Sequence, residues 1–115
     1  MPGRRVKMGT FSNFESAVLA GVRELAEGTL KDCADQALQD SKQFLNNTKQ
    51  DLERWTGLLA KGDLNKEEFQ FLVRGRADLA EMHLLTQAGL SQARLERFRS
   101  ELVKLVVASA IDVLL

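Results

Sequence analysis

The spacing of apolar positions divides the chain into helices. From residue 14 to residue 59, apolar or small residues recur three or four apart: Phe14, Val18, Val22, Leu25, Thr29, Cys33, Ala37, Ser41, Phe44, Thr48, Leu52, Trp55 and Leu59. That spacing lines up one side of a helix, and an average near 3.5 suits a long coiled seam, hence a coiled coil. No proline or turn cluster interrupts residues 14–61. The pattern therefore predicts one long helix over 14–61, about 72 Å in length if continuous. The stripe thins at Cys33, Ala37 and Ser41. Gly21 and Gly28 lie on nearly the same face, and each lowers helix propensity by about 1 kcal/mol relative to alanine. Two readings stand for them: a fraying segment with a break near Gly28, or close approach of another helix.

The chain is then punctuated twice. Lys61-Gly62 reads as a helix C-terminus, with a cation in the last turn and glycine just past it. Asn65 and Glu68 form a capping box, with Leu64 and Phe69 as the hydrophobic staple. Gly89 ends the next helix, and Leu90, Ser91 and Leu95 repeat the device, with Arg94 leaving the box open. The expected helices are 66–88 and 92–115, together nearly as long as the first. No alternating strand pattern competes. The expected fold is all-α: an elongated antiparallel helical bundle, one long helix covered by two shorter ones and completed by self-association. Residues 1–13, with Arg4, Arg5 and Lys7, read as a flexible basic arm, and 14–115 as a single helical domain.

The last helix is the most informative segment. Only Lys104 and Asp112 are charged between Leu102 and Leu115. A helix apolar nearly all round is buried on more than one side. One side is expected against the first helix, where Ala17, Gly21 and Gly28 leave room. The other is expected at an oligomer interface built from Leu102, Val103, Val106, Val107, Ala110, Ile111 and Leu114, which a two-fold dimer would make self-complementary. Docking on a membrane surface is the alternative. At about 14 residues the segment is too short to span a bilayer, and it lacks the cationic polar face of an interfacial helix.

Composition removes other classes. The 115 residues are 44% hydrophobic, with sixteen basic side chains against sixteen acidic. That is too apolar and too evenly charged for a disordered chain. A zero balance gives no global field for nucleic acid. Arg74, Arg76, Arg94, Arg97 and Arg99 are interleaved with acids, as solvated pairs Arg74–Asp78, Arg97–Glu101 and Glu96–Arg99, so nucleic-acid binding is not expected. A lone cysteine forms no internal disulfide. The basic start lacks the apolar stretch of a signal peptide, and the expected compartment is the cytoplasm.

Candidate chemistry is sparse. His83 is the sole histidine, and in a continuous helix neither Asp78 nor Glu81 shares its face, so it reads as a packed or rim residue rather than a metal ligand. Cys33, within the apolar stripe, reads as a small core residue. No phosphate loop or catalytic triad is recognisable, and no cofactor or metal is expected. The expected function is a non-enzymatic, self-associating interaction or assembly module: a homo-oligomer, a dimer first, open to a protein partner. The alternatives are a peripheral membrane or lipid-associating protein, and a ligand-binding or enzymatic bundle with a site around His83, Trp55 and Met82.

Overall fold

A computed structural model describes residues 10–114. The fold is all-α, and no strand occurs among the described residues. Its helices are α1 (Thr10–Thr29), α2 (Ala34–Lys61), α3 (Lys66–Leu79), α4 (His83–Gln87) and α5 (Gln92–Ser109). A 3-10 turn, Lys31–Cys33, joins α1 to α2, and a wider π-type turn, Ala110–Leu114, follows α5.

The expected single helix over 14–61 is two helices folded into a hairpin. Phe11 on α1 lies under the Lys49 ammonium, 5.7 Å from the ring centre, and Glu15 and Leu19 share a surface groove with Gln43 and Asn46. The residue numbers on α1 rise as those on α2 fall, so the helices are antiparallel. The molecule accordingly measures 47 × 27 × 21 Å, far short of 72 Å. The chain turns at Leu30 (φ −131°, ψ 45°) and Cys33 (φ −140°, ψ 34°). Gly28 and Thr29, both poor helix formers, precede the turn. The turn keeps its backbone bonded, Leu30 N–H to the Ala26 carbonyl at 2.7 Å and Cys33 N–H to that of Leu30 at 3.0 Å. Leu30 and Cys33 are both buried and pin it to the core. The apolar stripe stays in phase across the turn, which is why periodicity alone read through it.

The two punctuation signals are as expected. Gly62 (φ 84°) and Gly89 (φ 89°) take the left-handed conformation that ends a helix. Asn65 accepts from the Glu68 N–H at 2.8 Å while Glu68 accepts from the Asn65 N–H at 2.9 Å. Phe69 is buried, with Leu64 half-buried against the core. Ser91 accepts from the Arg94 N–H at 3.2 Å. Asn65→Ala is expected to cost about 1 kcal/mol in urea unfolding; an unchanged midpoint would show that the box adds nothing to stability.

The expected helix 66–88 is also broken, at Ala80–Met82. Polar groups from two other helices hold the break. The Asp40 carboxylate on α2 accepts from the N–H groups of Leu84 (3.2 Å) and Leu85 (2.8 Å), the open donors at the start of α4. Arg99 on α5 donates to the Ala80 carbonyl at 2.7 Å, at the end of α3. An anion thus meets a helix start and a cation a helix end, both favourable to the helix dipole. Arg94 does the same at the end of α1, donating to the Thr29 carbonyl at 3.0 Å.

The helices close a ring. α1 packs on α2, α2 on α3 and α4, α3 on α5, and α5 returns to α1. On that last contact Gly21 matters: a Cβ there would come within 2.5 Å of Leu105 Cδ2, whereas one at Gly28 would meet nothing within 4 Å. Close helix approach is therefore real at Gly21 and absent at Gly28. The core inside the ring includes Phe14, Val18, Leu45, Leu52, Phe69, Leu85 and Leu102, all essentially inaccessible.

Residues 10–13, expected in a flexible arm, belong to the first turns of α1. The rest of that arm, 1–9, lies outside the described residues.

Candidate functional site

The expected oligomer interface is largely the chain's own core. Leu102, Val103, Val106, Val107 and Ala110 are all buried within the single chain, and Ile111 is half-buried. Leu114 lies outside the residues whose side chains are described. The expectation that one face of the last helix stays bare presumed a three-helix arrangement. With α1 and α2 as separate walls, α5 lies against both α1 and α3, and the turn after it also meets α2. The same burial bears on the membrane alternative, since these side chains cannot reach a lipid surface while the ring is closed.

Large apolar residues are exposed elsewhere. Phe71 (77% exposed), Leu79 (79%) and Leu84 (38%) all belong to α3 and α4. Phe69, Val73 and Ala77 point α3 into the core. Residues two further on, Phe71, Gly75 and Leu79, lie about 200° around the helix and so face outward. Both ends of this outward stripe meet grooves. Phe71 joins Leu64, Glu67, Glu68 and Leu72 around a shallow groove. Leu79 and Leu84 border an open cleft of about 600 Å³ between α2 and the α3–α4 corner.

The cleft has a polar floor. Gln39, Gln43 and Asn47 line it from α2, four residues apart, with Gln43 Nε2 donating to Asn47 Oδ1 at 3.1 Å. Arg76 stands at one side, 3.3 Å from Asp51. His83 is on the rim and exposed, its Nε2 2.8 Å from Glu81 Oε1. This corrects the helical argument that separated the two: Glu81 lies in the break, where helical spacing does not apply. Trp55 and Met82, grouped with His83 in the ligand-site reading, are buried and do not line this cleft. Among the described residues, no three His, Cys, Asp or Glu side chains converge as a metal site would require.

Cys33 is buried, as its place in the stripe implied. Burial pushes its thiol above the ordinary range, Asp32 adds to the rise, and Arg94 opposes it. The folded state thus resists forming the thiolate. Stability is unaffected below the ordinary thiol pKa and falls as pH rises from there toward the folded value, because the unfolded chain ionises first. Native Cys33 is expected to react with an aromatic disulfide reagent far more slowly than the thiol in urea; equal rates would contradict its burial.

The arginines do more than form solvated pairs. Arg74 reaches Asp78 at 3.1 Å as expected, but also Ser100 Oγ at 2.9 Å and Glu96 at 3.7 Å, tying α3 to α5. Arg99 meets Glu96 at 3.1 Å. Glu101 lies 3.7 Å from Lys104, in place of the expected Arg97 pair. Asp40, Arg94 and Arg99 escaped the sequence reading as structural clamps because each acts on a backbone group at least nineteen residues away.

Among the described residues no helix is long and apolar enough to cross a membrane. In comparison with known proteins, no family model matches the chain, and neither a curated protein nor a solved structure is significantly similar to it.

Proposed function

We propose that the chain is a non-enzymatic helical interaction module that acts by self-association, a homodimer at first, in the cytoplasm. The observation that carries this reading is the confinement, among the described residues, of the exposed large apolar side chains, Phe71, Leu79 and Leu84, to the outer side of α3 and α4. Side chains of this size gain about 1.5–3 kcal/mol each on full burial, and clustered exposure of that kind marks interaction surfaces. The reading keeps the self-association expected from the sequence and moves its seat from α5 to α3. Sedimentation of the full chain from low to high micromolar concentration tests it. A mass that rises toward two chains is expected, and a well-folded monomer throughout would overturn it.

A further inference from the structure

Resting on that reading, we propose that the partner is a second copy of this chain, joined through α3 against α3, antiparallel, about a two-fold axis at Gly75. The outward stripe is arranged symmetrically about that residue. Phe71 and Leu79 stand four positions to either side, 77% and 79% exposed. The Cβ position of Gly75 has nothing within 4 Å, so a second backbone can approach there as it could not over a larger side chain. A two-fold interface must be self-complementary, residue i meeting j while j meets i. Antiparallel pairing about Gly75 meets that condition. Gly75 faces Gly75, and each Phe71 faces the other copy's Leu79.

The cleft and the helix dipoles fit the same register. Leu79 and Leu84 border the cleft, so a Phe71 placed on Leu79 brings its ring to the mouth of the other copy's cleft. Each helix start, bearing Glu67 and Glu68, lies over the other helix's end, where opposed dipoles attract. Arg74 and Arg76 flank the axis and approach their counterparts. Each already has carboxylates of its own chain, Asp78 and Glu96 for Arg74 and Asp51 for Arg76, which offsets the like charge.

Cysteine cross-linking of the full chain in a Cys33→Ala background reads the register directly. Oxidation is mild, and Gly75 itself is left unchanged, since a side chain there would hold the second backbone off. Phe71→Cys mixed with Leu79→Cys should give the mixed dimer, while neither alone gives much. Glu24→Cys, on the exposed side of α1, should stay monomeric. Separately, Leu79→Glu should weaken association about tenfold or more with helical content and melting unchanged, since the residue is exposed. If the unmodified chain sediments as a dimer but Phe71→Cys mixed with Leu79→Cys does not cross-link, or Leu79→Glu associates normally, this register is wrong while self-association stands. If the unmodified chain remains monomeric at high micromolar concentration, both fall.

Discussion

Val107→Glu is expected to unfold the chain, not to separate two folded subunits. Val107 is 4% exposed on α5, among Val103, Val106 and Ala110 of the same buried face. A carboxylate there would be taken out of water with no cationic partner, and the valine's own burial would be lost. Together these cost about 3–5 kcal/mol, a large part of the roughly 5–15 kcal/mol that holds a small domain together. Circular dichroism should show a steep loss of helix or a melting transition lowered by many degrees. Gln39→Glu, on the exposed side of α2, should change little. A Val107→Glu chain that keeps its helix content and melting temperature while only its sedimenting mass falls would return α5 to the surface and make it an interface.

Asp40→Ala is the second large effect. The carboxylate is 6% exposed and is the acceptor for two N–H groups at the start of α4. Its loss leaves both donors without that acceptor, the Leu85 one in a buried position. Hydrogen bonds to a charged group contribute about 1.5–3 kcal/mol each, so a loss of about 2–4 kcal/mol in urea unfolding is expected. Asp40→Asn keeps an acceptor oxygen and should lose about half as much. A change below about 0.5 kcal/mol for Asp40→Ala would mean that the α3–α4 break is held by other groups. Melting of α4 alone, seen as new amide exchange at Leu84 and Leu85 without global destabilisation, would place Asp40 as a local clamp.

Local chemistry was legible in the sequence, and long-range chemistry was not. The capping box at Asn65 and Glu68, the left-handed glycines 62 and 89 and the Ser91 cap all lie within a few residues of what they terminate, so spacing alone identified them. Most of the stripe from Phe14 to Trp55 was legible for the same reason, although before the turn Ala26 and Leu30 are buried in place of the expected Leu25, which is half-buried, and Thr29, which is exposed. A break near Gly28 stood as one reading of the sequence, but the hairpin made there was not legible, nor was the second break. Leu30–Cys33 has no glycine or proline within it, and its cause is tertiary: two apolar side chains anchored in a core that exists only once α1 folds back on α2. At Ala80–Met82 the stabilising groups, Asp40 and Arg99, are distant in sequence. Missing the hairpin led to the largest error. A three-helix picture left α5 half bare, whereas α1 and α3 cover it and α2 meets the turn that follows. The exposed stripe of α3 went unread, since Phe71 and Leu79 share a helix with an inward apolar row, Phe69, Val73 and Ala77.

α5 belongs to the interior of each single chain, and the proposed surface for association is the outward side of α3. Amide hydrogen exchange, measured on the full chain over a wide range of dilution, tests this most directly. Protection over Leu102–Ala110 should be strong and independent of concentration, because the chain's own helices supply it, while any protection gained on association should fall on the outer side of α3 around Gly75. Protection of α5 that disappears on dilution, with α3 unaffected, would contradict the account.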